Sequence, residues 1–348
     1  MVFFSAMLAG IPVAVINRDT TAFDRFRAVC STQSTLPARG DFEMPMTTTG
    51  TGVPQKTREL RMALIDSTVW NGFPFRDDDI VIATYAKAGT TWMQQIVAQL
   101  VFDGAEDIDV QAVSPWLDSR SAPMAQKLAA VEAQRHRRFL KTHLPVDALV
   151  IHADARYIYV GRDGRDVVWS MHNHHSQLKD ETYAVVNTGL PPGAQQFLRP
   201  DLELVPYFRR WLDTGGHPWW PFWENVRQWL ALGDRPNVHI VHFNDLKRDL
   251  KGEIARIAAF LEIPLTTAKL DLITGHCSFE YMKQNAERFS PRGGAQLKGG
   301  ARSFINQGTN GRWRDMLTAG DIARYDSVAV AELGAAGARW LADGGLVP

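Results

Sequence analysis

Apolar positions along this chain fall into two kinds of cluster. Short unbroken runs, Ile80-Val81-Ile82-Ala83, Tyr157-Ile158-Tyr159-Val160 and Val238-His239-Ile240-Val241-His242-Phe243, are rich in β-branched and aromatic residues and predict buried strands. A fourth run, Phe139-Leu140, ends in the polar Lys141-Thr142-His143 and is stopped by Pro145. Longer segments with helical character lie between them: 57–67, 93–102, 123–136, 167–178, 218–232, 251–261 and 321–341. In 251–261 the repeat is explicit, with Ile254, Ile257, Ala258 and Leu261 on one face. Strands separated by helices predict an α/β fold of three layers, a central parallel sheet flanked by helices.

Two stretches break the alternation. Residues 180–217 hold Pro191, Pro192, Pro200 and Pro206 among Phe197, Tyr207, Phe208 and Trp211, which predicts an irregular lid or acceptor-binding insertion. Trp219, Trp220, Phe222 and Trp223 follow and either wall a pocket or belong to the core; Trp116 has the same two readings. Residues 1–50 open on an apolar run interrupted by Pro12, with no preceding positive charge, and continue into a Ser-, Thr-, Pro- and Gly-rich tract. They read as a disordered or non-native extension, with the natural start near Met44 or Met46, ahead of a single domain over 55–348.

The chemistry concentrates where strands end. After Ile80-Val81-Ile82-Ala83 comes Thr84-Tyr85-Ala86-Lys87-Ala88-Gly89-Thr90-Thr91-Trp92, a Gly-containing turn entering a helix. Open backbone N–H groups and the helix dipole at such a turn favour an anion. Lys87 adds charge, and Thr90 and Thr91 add hydroxyl donors. The device is P-loop-like, yet the ordinary nucleotide loop G-x-x-x-x-G-K-[ST] is not kept. Its first glycine is missing and the lysine precedes the glycine, so the loop suits a phosphate-like group held differently from ATP.

The strand before Gly161 runs into Arg162-Asp163-Gly164-Arg165-Asp166-Val167-Val168-Trp169-Ser170, where Arg162 and Ser170 reach one anion from the same side. Arg165 and Asp166 read as a surface ion-pair network. His143 stands two residues after Lys141 at a third strand end, where ligands of open α/β sheets bind. Its side chain titrates near neutrality and suits a general base, while Lys87 and Lys141 suit charge stabilisation.

These motifs resemble those of the cytosolic-type sulfotransferases, including bacterial glycolipid-type members. Thr84 to Trp92 is similar to the family's TYPKSGTTW, with Ala86 and Ala88 as the two changes. The resemblance spans roughly 58–318 and implies 3′-phosphoadenosine 5′-phosphosulfate (PAPS) as donor, adenosine 3′,5′-bisphosphate as product, and no metal. It implies that Lys87, Ala88, Gly89, Thr90 and Thr91 wrap the 5′-phosphosulfate and that Trp92 packs on adenine. Arg162 and Ser170 then match the 3′-phosphate motif, and His143 matches the base in K-T-H-x-P. Phe243 replaces the tyrosine of Y-E-D-x-K; Cys277 replaces the threonine of H-T-S-F, and Phe279 is kept beside adenine. Where the family reads R-K-G-x-x-G-x-W, this chain has Asn306-Gln307-Gly308, two amides in place of two cations on the 3′-phosphate. Arg302, Arg312 or Lys298 are the cations left to compensate, and the glycines at 293, 294, 299 and 300 read as a loop that orders on the nucleotide. The family's dimer pattern is poorly kept around Arg314, Thr318 and Ala323, so oligomeric state stays open.

Composition narrows this picture little. A chain of 348 residues with 45% hydrophobic content, mean hydropathy −0.20 and zero formal charge suits a globular protein and speaks against nucleic acid as a partner. Cys30 and Cys277 give no disulfide framework, which predicts a cytoplasmic setting. No apolar run reaches the roughly 18–20 residues of a transmembrane segment. The expected activity is sulfuryl transfer to a hydroxyl or amine of a small or lipid-like acceptor. The alternatives are a nucleotide-binding protein with little turnover, and an ATP-dependent kinase, for which no Walker A lysine is found.

Overall fold

Four strands, β1 (Ile80–Thr84), β2 (Phe139–Thr142), β3 (Arg156–Gly161) and β4 (Val238–His242), form a sheet in the order β2-β1-β3-β4. All neighbours run parallel. The computed structural model describes residues 52–348, which fall within one compact unit, Met46–Pro348. The predicted extension over 1–50 lies outside the described residues.

Every residue of β1 and β2 is buried. Strand alternation sends successive side chains to opposite faces, and two cores result. Val81, Ala83, Leu140, Tyr157 and Tyr159 lie in one, and Ile80, Ile82, Phe139, Ile158 and Val160 in the other. The first is covered by aromatic helices; Tyr159 stacks on Trp229 at 5.3 Å and donates its hydroxyl to Asn225. The helices that matter below are α1 (Thr90–Val101), α2 (Gly164–Gln177), α3 (Phe222–Leu230) and α4 (Ala319–Asp343), the last kinked at Gly334.

The chain leaves β1 toward β2 and leaves β3 toward β4. Its connections therefore diverge between the adjacent strands β1 and β3, the point where open sheets form a crevice. Thr84 pairs with Val160, and Ala83 with Thr142, so the three strand ends that carry the candidate chemistry are neighbours.

Two expectations are corrected. Residues 57–67 are not helical. Positions 62 to 69 alternate between buried and less buried, and Ile65 bridges to Ser119. The contiguous apolar Met62-Ala63-Leu64-Ile65 conceals this period of two, and Asp66 caps a single 3-10 turn, Ser67–Trp70. Residues 180–217 are also more regular than expected, with helices Asp180–Val186 and Leu204–Thr214 around an irregular link. Tyr207, Phe208 and Trp211 from this segment are core, as are Trp220, Phe222 and Trp223.

The base of the sheet is held by a buried ion pair. Arg138, at the start of β2, donates Nε to Asp79 Oδ1 at 2.7 Å and Nη2 to the other carboxylate oxygen. Both side chains are at most 1% exposed. Removing one partner strands a charge in the interior. Asp79→Ala is expected to lower unfolding stability by about 3–5 kcal/mol in urea titration; a loss below about 1 kcal/mol contradicts this account.

Candidate active site

The loop after β1 is shaped for a ligand by its backbone. Lys87 adopts φ 71° and Gly89 φ 115°, both left-handed. A Cβ on Gly89 would lie 2.9 Å from the Phe243 ring, so glycine alone permits this approach. Gly89 caps α1 without a side-chain bond, leaving the first-turn N–H groups for another acceptor. The Thr90 hydroxyl lies 2.6 Å from that of Thr84. Trp92 donates Nε1 to the Cys277 carbonyl at 2.8 Å and meets Phe243 edge-on at 5.3 Å.

The loop after β3 joins it. Arg162 Nη1 donates to the Lys87 carbonyl at 2.9 Å, and its guanidinium lies 4.3 Å from the Phe243 ring centre. Asp163 caps α2, which carries Ser170 on the cavity wall. Arg165 and Asp166 are not a surface network. Arg165 is buried, pairs with Asp163 and lies over Trp313, while Asp166 accepts from the Gly311 amide at 2.8 Å. Burial pushes the Asp166 carboxyl up to about 6, against the pull of Arg162.

The end of β2 supplies Lys141 and His143. His143 Nδ1 lies 3.0 Å from the Thr84 carbonyl, which only accepts, so Nδ1 carries the proton and Nε2 keeps its lone pair. Trp116 meets the imidazole edge-on at 5.0 Å and carries the Lys141 ammonium 5.6 Å from its own ring centre. Behind them the buried Asp118 accepts from Trp70 Nε1 at 2.8 Å, from the Thr142 hydroxyl at 2.5 Å and from Trp116 Nε1.

These groups border one cavity of about 1220 Å³. At one end stand Lys87, Gly89, Thr90, Thr91, Trp92, Arg162, Ser170, Phe243, Phe279, Asn306, Gln307 and Gly308, the predicted nucleotide set. Ala88 is absent from the wall, its side chain buried in the first core and its N–H donated to the Tyr85 carbonyl, and so is Cys277. The Cys277 side chain is fully buried in the second core, and its carbonyl serves Trp92 instead. At the other end, beyond His143, stand Trp116, Trp219, Phe197, Leu178, Val186 and Leu64. His175 borders this end, with burial and then Lys87 pushing it down to about 3, so it stays neutral.

Sequence reasoning missed Asn310, Asp166 and Asp118. Asn310 Oδ1 accepts from Arg162 Nη2 at 2.6 Å and Nε at 3.2 Å, and its amide donates to Asn244 at 2.6 Å. Its sequence signal was its place in a Gly-Thr-Asn-Gly turn. Gly308 has φ 63° and packs so closely that a Cβ would lie 2.6 Å from Phe279. Lys283 donates to the Asn306 carbonyl at 2.8 Å, and Lys247 to that of Gly308.

Cations gathered away from water disfavour their own charge. Burial, then Arg162 and Lys141, bring the half-buried Lys87 down to about 7. Burial brings Lys141 to about 8, and burial, then Lys141, brings His143 to about 3. Converging cations, open N–H groups and the Gly89 and Gly308 approaches fit a phosphosulfate or bisphosphate. An anion here restores charge to the lysines, so its binding takes up protons between about pH 7 and 9, and affinity falls as pH rises through that window. Calorimetry of adenosine 3′,5′-bisphosphate in two buffers of different ionisation enthalpy measures this uptake; identical heats at pH 8 contradict it.

A family model described as a sulfotransferase domain matches residues 77–337. A glycolipid sulfotransferase of Mycobacterium tuberculosis is 29% identical over 288 residues, covering 76% of this chain and 88% of the relative. Mouse sulfotransferase 2B1 is 29% identical over 263 residues, covering 73% and 70%. Among solved structures, retinol dehydratase with androsterone and inactive cofactor PAP superimposes with TM-score 0.61 at 22% identity, covering 77% of this chain and 84% of that one. A mouse sulfotransferase complexed with PAP gives 0.61 at 20%, covering 79% and 91%. The structural likeness supports the fold, and the family match spans most of the chain: this protein belongs to the sulfotransferase domain family.

Proposed function

We propose that this enzyme sulfates a hydroxyl, or an amine, of a small or lipid-like acceptor with His143 as general base. The chain is a PAPS-dependent sulfotransferase. When bound, PAPS supplies a sulfuryl group activated by its bond to phosphate. The remaining work falls to the protein's own side chains. His143 Nε2 receives the proton of the acceptor hydroxyl as the new O–S bond forms and the bond to the phosphate oxygen breaks in line. Lys87 and Lys141 hold the negative charge on the sulfuryl and leaving oxygens. Arg162, Ser170 and the N–H groups opening α1 keep the nucleotide in register, with Trp92, Phe243 and Phe279 around the base.

One observation supports this reading above the others: the Thr84 carbonyl fixes the His143 proton on Nδ1 and leaves Nε2 as a lone pair. Burial, then Lys141, holds His143 near 3 and not near neutrality as its residue type suggested, so Nε2 keeps its lone pair but is a weak base until a bound anion offsets the neighbouring lysines. An apolar acceptor is supported by the Trp116, Trp219 and Phe197 wall, and by relatives that include a glycolipid sulfotransferase. A cytoplasmic setting is part of the reading. It is compatible with two cysteines and with the absence, among the described residues, of a helix long and apolar enough to cross a membrane.

His143→Ala is expected to cut kcat by about 10²–10⁴-fold while leaving the Kd of adenosine 3′,5′-bisphosphate within about twofold. Single-turnover transfer from PAPS, with a panel of phenols, alcohols, sterols and glycolipids, measures the first; calorimetry measures the second. Undiminished turnover in the variant removes His143 from this role.

A further inference from the structure

The 306–312 segment has neither cation that the family pattern places at its start, yet Asn306, Gln307, Gly308, Thr309 and Arg312 still line the cavity. Other groups hold it there. Lys283 and Lys247 donate to the Asn306 and Gly308 carbonyls, and the Gly311 amide donates to Asp166. Trp313 is buried directly behind, under the Arg165 guanidinium. At the tip, Asn310 accepts Nε and Nη2 of Arg162 and donates to Asn244, so one amide holds that edge of the guanidinium while Nη1 bonds the Lys87 carbonyl, leaving one N–H on each Nη for a ligand.

Two residues beyond Asn310 stands Arg312. It borders the same cavity as Arg162, Ser170, Asn306 and Gln307, and its side chain is exposed. Among the described residues it makes no ion pair, whereas Arg314 on the same turn lies over Trp313 and away from the cavity wall. The other two candidates for compensation do not border the cavity: neither Arg302 nor Lys298 belongs to its wall.

We propose that Arg312 replaces the missing cations as the second charged contact to the nucleotide's 3′-phosphate, with Asn310 as the residue that positions Arg162 for it. The inference rests on the reading that this cavity binds adenosine 3′,5′-bisphosphate. Recognition of the 3′-phosphate is thereby moved along the loop, from positions 306 and 307 to 312. A planar guanidinium there meets a phosphate through two parallel N–H bonds, which the amides of Asn306 and Gln307 do not match.

The test compares adenosine 3′,5′-bisphosphate with ADP, which lacks the 3′-phosphate, by calorimetry on the full chain. Arg312→Gln is expected to weaken the bisphosphate about tenfold or more, the worth of one charged hydrogen bond, and to leave ADP within about twofold. Arg312→Lys should recover part of the loss. Asn306→Arg with Gln307→Lys, added to Arg312→Gln, should recover most of it. Asn310→Ala should lower the bisphosphate-to-ADP ratio with unchanged thermal stability, which a merely structural role would not do. A preference that survives Arg312→Gln overturns the proposal alone. A wild-type chain that binds the bisphosphate no better than ADP overturns the proposal and the reading beneath it.

Discussion

The site depends on forcing positive groups together that would otherwise separate. Lys87 and Arg162 come from the ends of adjacent parallel strands, and their loops are tied by the bond from Arg162 Nη1 to the Lys87 carbonyl. That bond holds Lys87 in a left-handed conformation an L-residue seldom adopts, and keeps a guanidinium beside an ammonium. Strain and repulsion are tolerated because β1 beneath is fully buried and fixed in register against β3. The resulting electrostatic deficit is what an incoming anion fills, so the site's affinity is stored as discomfort in the unliganded fold.

A second constraint sets the acceptor side. Asp118 is buried, and desolvation lifts its carboxyl above the usual range, yet it accepts from Trp70, Trp116 and the Thr142 hydroxyl. Thr142 lies between Lys141 and His143, and Trp116 lies against both His143 and Lys141. A single carboxylate thus orients Trp116 and the strand end that carries His143. Satisfying three donors is what allows so costly a group to remain inside.

Much of this was legible in the sequence because it is local. Each of the four strands contains a short cluster of apolar residues, unbroken in β1 and β3, and the three motifs sit at strand ends, where a short span sets both conformation and chemistry. What escaped was set by distant partners. The alternation at 62–69 is visible only once Ser119 and the core are present. Cys277 occupies a family binding position, but the packing of Ile273 and Met282 around it turns its side chain inward. Arg165 reads as a surface charge until α4 brings Tyr325 over it. Asn310 has no pattern of its own; its meaning comes from Arg162, far away in the chain.

The predicted nucleotide residues, His143 and the aromatic wall line one space. Among the described residues no group donates to His143 Nε2, and a lone pair so placed does not distinguish an acceptor hydroxyl from solvent. Wherever a bound molecule is too short to reach Trp219 and Phe197, room remains for a water beside Nε2, and the same proton transfer would then release free sulfate. On the proposed reading, the aromatic wall sets more than affinity: by the fullness with which it is covered, it decides whether each activated sulfuryl group ends on the intended molecule or is lost to hydrolysis.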